Sequence, residues 1–390
     1  MTNAESSNPR VLLPPPDASI AEQYQDLVAR LGSPLLVFDP AVLRSQFQSL
    51  RKALPGVALF YAVKALPSED VIREIAKLGG GFDIASAGET ELLLREDVFG
   101  RRTIHTHPIK KDSEIRDALR YGATTFVVDN LHELKKFEPY RSRVGILLRV
   151  SFRNPGATVD LSRKFGCDFE EIETLLDEAN AMGVHVKGLS FHVGSQCADA
   201  FKHVEAIERC SALMRSRDTG DRAPMSMLDI GGGFPADYDG TGVDLQVFCA
   251  PIRAALKELP DDWQILAEPG RVLVAPAVRS ITSVVGQSVR EGVRWYYLDD
   301  GVYGSFSGQI YDHASYPLQV LKSGPGFPSV LAGPTCDSID IVAESIELPL
   351  LDNGDLVIGH EMGAYTAATR TRFNLLPDAR FVNLEALPDS

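Results

Sequence analysis

From about residue 40 to residue 270 this chain repeats one pattern: a short apolar run, a polar loop, then an amphipathic stretch. The runs are rich in β-branched and aromatic residues, which is the composition of buried strands. They fall at Leu59–Lys64, Phe82–Ser86, Thr103–His107, Thr125–Asp129, Val144–Val150, Val186–Val193, Met227–Ile230 and Gln264–Glu268. Between them lie helical stretches such as Ser68–Leu78, Asp112–Tyr121, Asp168–Ala181 and Phe201–Arg215. Ser68, with Glu69 and Asp70 behind it, reads as a helix start, and Gly122 and Gly183 stand where a helix-ending glycine belongs. Eight strands alternating with helices over this length predict an α/β barrel of the TIM-type (β/α)8 class. A doubly wound open sheet is the competing arrangement, and the even strand count and the length favour the barrel.

The texture changes after about residue 272. Arg271–Gly286, Trp295–Asp299, Pro317–Val320, Ile341–Leu350, Leu356–Ile358 and Arg380–Leu384 read as strands, with turns at Asn353-Gly354 and Gly324-Pro325-Gly326. They predict a C-terminal all-β sandwich or barrel domain. Pro34–Phe38 is strand-like as well and is expected to join it. The expected organisation is a partly disordered N-terminal tail over residues 1–32, a barrel over 40–272, and a β domain built from 33–39 and 273–390.

A net charge of -14 argues against a nucleic-acid partner. The cysteines, Cys167, Cys197, Cys210, Cys249 and Cys336, are odd in number and lack metal-ligand spacing. Reduced thiols in a cytoplasmic protein with no metal site are expected, not a disulfide framework. No apolar run is long enough to cross a bilayer, and the polar, Pro-rich opening residues are not expected to be a signal peptide.

Lys64, Asp83, His107, Arg149, His192 and Glu268 all fall at or near the C-terminal ends of predicted strands. Barrels place their chemistry on that face. Any one of these residues has an ordinary structural explanation, but six on one rim are harder to dismiss. Lys64 closes an apolar run, where burial favours the neutral amine that can form a Schiff base with an aldehyde. Asp229-Ile230-Gly231-Gly232-Gly233-Phe234 follows the seventh strand, and its glycines let backbone N–H groups approach an anion. Alone, such a triplet is equally a tight turn. In barrels, however, phosphate binds in the loops after strands seven and eight. Glu268-Pro269-Gly270-Arg271 follows the eighth and adds a guanidinium. A lysine, a phosphate cradle and a strand-end carboxylate together suggest pyridoxal phosphate. Glu268 at the pyridine nitrogen would keep the ring protonated, making it an electron sink suited to decarboxylation.

With these residues placed, the chain resembles the fold-type III pyridoxal-phosphate-dependent decarboxylases, and among them the ornithine decarboxylases and their bacterial ornithine/lysine relatives. The resemblance spans about residues 30 to 385. It is carried by Tyr61-Ala62-Val63-Lys64, Phe82-Asp83-Ile84-Ala85-Ser86, His192-Val193-Gly194-Ser195, the Asp229–Phe234 and Glu268–Arg271 motifs, Asp300-Gly301-Val302-Tyr303, Tyr311-Asp312-His313, Gly333-Pro334-Thr335-Cys336-Asp337 and Gly363-Ala364-Tyr365. The resemblance implies Lys64 as the Schiff-base lysine and His192 stacked on the cofactor ring. It implies Asp83 and Arg149 in support of the ring hydroxyl and Lys64. Ser195, Gly232, Gly233, Arg271 and Tyr365 would hold the phosphate, with Gly270 allowing close approach. Cys336 would direct protonation at Cα, and Tyr303, Asp312 and Asp337 would line the distal end of the substrate. The resemblance also implies a homodimer, with Cys336 and Asp337 contributed by the partner subunit.

Two departures stand out. Thr106-His107-Pro108 replaces an Ala-Asn-Pro common in eukaryotic members, and His107 is expected to fill space. Gln196 replaces a common glycine. The polar loop Asp160–Phe165 is a candidate cover for the site. The implied substrate is a basic L-amino acid. L-ornithine, giving putrescine and CO2, fits best, with dual ornithine/lysine use close behind because one methylene discriminates by only ~1–3 kcal/mol. A modified basic amino acid is a further alternative. Diaminopimelate is disfavoured because those enzymes carry Glu where this chain has Asp337. A non-catalytic, antizyme-inhibitor-like protein is disfavoured because Lys64, Asp83, Arg149, Cys336, Asp337 and Asp312 are all present.

Overall fold

A computed structural model describes residues 11–152, 164–217 and 223–387. It divides into two compact units, one of residues 44–235 and 243–273, the other of residues 11–43, 236–242 and 274–387.

The first unit is a closed barrel of eight parallel strands. In chain order they are Ala58–Ala62, Gly81–Ile84, Thr103–His105, Thr125–Val128, Gly145–Val150, Val186–Phe191, Met227–Asp229 and Gln264–Ala267. Each pairs with the next, and the last closes on the first through Leu266 and Ala58. The strands are apolar on both faces because helices cover the outside and side chains fill the inside. The helix Glu69–Lys77 shows why the intervening stretches are helical. Val71, Ile72 and Ile75 recur at helical spacing and are fully buried, and Glu69 and Asp70 complement the positive helix start. Ser68 holds the N-cap position with extended backbone, but its side chain makes no cap hydrogen bond. The helix Asp112–Tyr121 ends as its sequence suggests: Gly122 adopts a left-handed φ of 105° and donates its N–H to Ala118 O.

The second unit is a nine-stranded mixed sheet. Its long strand, Val278–Arg290, pairs with Leu356–Gly359, Val293–Leu298 and Leu35–Phe38. Leu35–Phe38 is sandwiched between Val278–Arg290 and the last strand, Arg380–Asn383. Its core gathers Leu35, Val37, Ile281, Leu356, Ile358 and Val382.

Two expectations are corrected here. Residues 11–32 are not a tail: Leu12–Leu13 pair in parallel with Leu318–Val320, and Ala18–Leu31 form a helix. Tyr24 and Leu27, one helical turn apart, bury themselves in the sheet's core, which is what orders the helix. Arg271 does not begin a strand either, because Arg271–Val274 is a helical turn. Val272, Leu273 and Val274 are all buried, and a short run buried on every side cannot be told from a strand by periodicity. The strand Phe327–Ala332 was absent from the sequence expectation.

Candidate active site

Asp83 is the next-to-last residue of the second barrel strand, in register with Ala62 of the first. Two residues beyond Ala62 the chain tightens into the helical turn Val63–Ala65, which carries Lys64. Lys64 is therefore not the buried strand residue that the sequence suggests. The turn lifts it to the barrel mouth, where its side chain is 42% exposed, and its Nζ lies 2.5 Å from Asp83 Oδ2. Asp83 itself is fully buried and also accepts a hydrogen from Thr106 Oγ1. A carboxylate removed from water needs such partners. Here they fix the direction from which the carboxylate meets the amine. Glu89 approaches the same group from the helix Ala87–Arg95 and accepts from Ala85 N at 2.6 Å. Burial pushes its carboxyl up to about 7, with Asp83 adding repulsion and Lys64 opposing.

Arg149, Ser190, Asp229 and Leu266 are laterally paired neighbours on strands five to eight, so their side chains share one side of the sheet. Beyond these strands come His192 and Glu268. His192 Nδ1 accepts the Gly194 N–H at 3.0 Å, which leaves the ring hydrogen on Nε2. Burial, then Arg149 and Lys64, hold its pKa well below the ordinary range, so the ring is neutral. Glu268 is displaced the other way, well above the usual carboxylate range, by burial and by the carboxylates of Asp229 and Asp83.

The glycine loop permits no side chain. A Cβ on Gly231 would lie 2.2 Å from Phe191 O, and one on Gly233 would lie 2.5 Å from Gly194 O. Both residues also have positive φ. A Cβ on Gly232 would meet Glu268 O at 2.7 Å and His192 Nε2 at 3.2 Å. His203, buried on the helix Phe201–Ser216, fixes this loop by bonding Gly232 O at 3.0 Å and stacking on Phe234. Cys197, given no role by its sequence, clamps the far side by donating its N–H to Gly233 O at 2.9 Å. Arg271 Nη2 donates to Ser195 Oγ at 3.0 Å, so a hydroxyl and a guanidinium sit together. Gln196 takes a left-handed φ of 52°, which accounts for the glycine common at that position. His107 Nδ1 accepts from Ile109 N, and the ring meets Phe165 edge-on, consistent with a space-filling part. Of the loop expected to cover the site, Asp160 to Arg163 lie outside the described residues. Lys164 Nζ lies 5.0 Å over the Phe165 ring and Arg149 5.7 Å from it.

The second unit carries Tyr303, Asp312, Cys336, Asp337 and Tyr365. Tyr303 and Asp337 are brought together at 2.5 Å. Tyr303 also stacks on Phe373, with ring centroids 4.6 Å apart. Neighbouring Asn374 accepts the Cys336 N–H at 3.1 Å. Cys336 is the exposed cysteine; Cys167, Cys197, Cys210 and Cys249 are buried, and all five are free thiols. Asp340, buried, binds the two loops together by accepting from Val302 N at 2.8 Å and from Thr335 Oγ1 at 2.6 Å. Asp312 closes the short helix Gly308–Tyr311, and Tyr365 adopts a positive φ of 55°.

Sequence reasoning passed over Thr106, Glu89, His203, Asn374 and Asp340. Thr106 was legible: Asp83 pairs with Ile104, and alternation puts the residue two further on on the same face. His203 carries no sequence signal that separates it from an ordinary core histidine.

This arrangement fits pyridoxal phosphate. The glycine cradle with Ser195 and Arg271 suits a phosphate, Lys64 offers an amine, and Glu268 is a buried carboxyl held well above the usual carboxylate range. Among the described residues no cluster of His, Cys, Asp and Glu fits a metal ion, and no helix is long and apolar enough to cross a membrane. The family model of the pyridoxal binding domain of pyridoxal-dependent decarboxylases matches residues 41–275. A lysine/ornithine decarboxylase of Vibrio vulnificus, solved with putrescine, is 49% identical with a TM-score of 0.91, covering 97% of this chain and 100% of that one. The same enzyme solved with cadaverine superimposes with a TM-score of 0.90 over 94% of this chain and 97% of that one. A lysine/ornithine decarboxylase of Selenomonas ruminantium is 38% identical over 90% of each chain. Antizyme inhibitor 2 of Xenopus laevis is 37% identical over 85% of this chain and 76% of its own. The chain belongs to the pyridoxal-phosphate-dependent decarboxylases of the ornithine decarboxylase family, enzymes that act on basic amino acids.

Proposed function

We propose that this enzyme decarboxylates L-ornithine to putrescine and CO2, and turns over L-lysine to cadaverine at the same site. The observation that carries a basic substrate is Asp337. The Tyr303 hydroxyl holds its carboxyl below the usual range, so it stays an anion facing whatever cation arrives. Tyr303, Asp312 and Asp337 receive the distal ammonium. The relatives named lysine/ornithine decarboxylases support the second substrate, since one methylene is worth only ~1–3 kcal/mol.

Bound pyridoxal phosphate supplies an aldehyde for the amino group and a ring that accepts the electron pair left when the Cα–carboxylate bond breaks. The residues of this chain do the rest. Lys64 would provide the amine that anchors the group, and Asp83 holds that amine in place. Ser195, Arg271, the Gly232 and Gly233 amides and Tyr365 hold the phosphate, and Gly270 lets the chain come close. His192, neutral, presents its ring face, and Arg149 supports the hydroxyl side. Glu268 offers its proton to the ring nitrogen. Cys336 delivers a proton to Cα after CO2 leaves.

We infer further that Cys336 and Asp337 are contributed by a second copy of the chain, so that the working unit is a homodimer with shared sites. The exposure of Cys336 on its loop supports this. A decarboxylation panel of ornithine, lysine, arginine and diaminopimelate tests the substrate. Ornithine and lysine should release CO2, with ornithine at least equal. Faster release from diaminopimelate or arginine would overturn the assignment. The likeness to antizyme inhibitor 2 supports a second, purely binding role. A strong visible band from bound cofactor with no CO2 from any of the four would favour it.

A further inference from the structure

Among the described residues, the interior of the barrel mouth holds more carboxyls than cations. Lys64 and Arg149 face Asp83, Asp229 and Glu268, with Glu89 beside Lys64 and Asp83. The histidines nearby, His192 and His203, are neutral and bring no charge. With every carboxyl ionised, this buried cluster would carry a net negative charge that water cannot screen. One proton retained between Asp229 and Glu268 leaves Asp83 and one shared charge against the two cations, and Glu89 is itself shifted towards its neutral form.

The geometry brings the Asp229 and Glu268 carboxyls together. Asp229 Oδ1 accepts the Gly231 N–H at 2.9 Å. Gly231 O in turn accepts the Glu268 N–H at 2.7 Å, so the glycine turn locks the two carboxyl-bearing residues to each other. Asp229 Oδ2 is buried and receives no hydrogen from an amide or hydroxyl among the described residues. Ser190, its lateral neighbour, also leaves its buried Oγ unbonded. The group against Asp229 is the Glu268 carboxyl. Two carboxyls in contact are stable only with a proton between them.

We propose that Asp229 is a positioning residue that shares one proton with Glu268 and so holds Glu268 as a ready proton donor at the ring-nitrogen end of the cofactor site. This rests on the proposed function for the identity of the acceptor, but the shared proton does not. When an aromatic nitrogen base arrives, the Glu268 O–H bond breaks and an N–H bond forms. Glu268 becomes the carboxylate that faces the new cation, and no proton is drawn from solvent. The directions agree: burial pushes Asp229 up to about 6 and Glu268 further, each raised by or bonded to the other.

The experiment is denaturant unfolding of the full-length, cofactor-free protein from pH 5 to 7.5, for wild type, Glu268→Gln and Asp229→Asn. A carboxyl whose folded pKa is raised stabilises below its unfolded pKa and loses that stability as pH rises towards the folded pKa. Relative to Glu268→Gln, wild type should therefore lose stability with rising pH, the ratio of unfolding constants changing about tenfold per pH unit. Asp229→Asn should show a shallower slope that flattens within the range, because burial still raises Glu268 while the contribution of Asp229 is gone. Parallel profiles for wild type and Glu268→Gln would overturn the shared proton. A wild-type slope in Asp229→Asn would assign the proton to Glu268 alone and overturn the role of Asp229. If Asp229→Asn does not fold, Asp229→Ala takes its place and is read by the same two outcomes. Titration with pyridoxal phosphate, read by visible absorbance, separates the two proposals. Failure of wild type to bind would sink the proposed function and leave the unfolding result standing. With binding, affinity in Asp229→Asn relative to wild type should fall as pH rises.

Discussion

The Tyr303 hydroxyl donates to the Asp337 carboxylate at 2.5 Å, and the bond shifts both partners: Asp337 is lowered and Tyr303 is pushed up to about 12. Removing the phenol in Tyr303→Phe frees the carboxylate to rotate and lets it protonate more readily. The KM for ornithine should rise roughly three- to tenfold with a smaller change in kcat, as expected for a lost charge-assisted bond at an accessible site. An unchanged KM alongside a lower kcat would place Tyr303 in the chemical step instead.

Gly232→Ala tests the glycine cradle. The added methyl meets Glu268 O at 2.7 Å and His192 Nε2 at 3.2 Å. Backbone cannot yield cheaply, so Glu268 and His192 are displaced together. Turnover should fall by roughly two orders of magnitude if the shift approaches about 1 Å, and cofactor affinity, read by absorbance titration, should fall as well. Unchanged affinity would show that the cofactor does not rely on this loop.

His203 is fully buried, and burial lowers its pKa to about 4. A base with a lowered folded pKa contributes stability that is complete above its unfolded value near 6.5 and is lost as pH falls towards 4. Asp229, Asp300 and Glu89 are shifted upward and give the opposite slope, so the difference between wild type and His203→Gln is the useful quantity. Stability relative to that variant should fall by about 1.4 kcal/mol per pH unit between pH 6.5 and 4. Parallel curves would mean that His203 takes up its proton at the same pH in the folded protein as in the unfolded chain.

Mixing Lys64→Ala with Cys336→Ala tests shared sites. Each variant alone should be nearly inactive. If subunits exchange freely, half of the dimers are hybrids with one intact site in two, and activity should recover to about a quarter of wild type. No recovery under conditions where subunits demonstrably exchange would place Cys336 and Lys64 in the same subunit's site.

The barrel was legible because each strand is a short apolar run bounded by polar loops, and all eight runs became strands. The phosphate cradle was legible because glycines and Arg271 stand directly after strands seven and eight. The state of Lys64 was not: an apolar run does not reveal where its strand yields to a helical turn, and two residues of turn separate a buried amine from an accessible one. The helix Ala18–Leu31 was hidden by its polar surface, since only Tyr24 and Leu27 are buried within it. Phe327–Ala332 was masked by Pro328 and the Gly-Pro-Gly turn before it, which read as loop. The support of Cys336 comes from Asn374, 38 residues further on, and a hydrogen bond across such a span leaves no local pattern.

The strand Leu35–Phe38 has its two neighbours at Val278–Arg290 and at the last strand of the chain, Arg380–Asn383. Each barrel strand after the first, by contrast, lies beside the one made just before it, and only the closing pair joins distant segments. During synthesis the barrel can therefore assemble as its segments emerge, while Leu35–Phe38 waits for residues made hundreds of codons later. Losing the last strand to truncation or a premature stop would strip one side of Leu35–Phe38 and leave an open apolar edge on an otherwise intact barrel protein, a sheet margin prone to pairing with other chains.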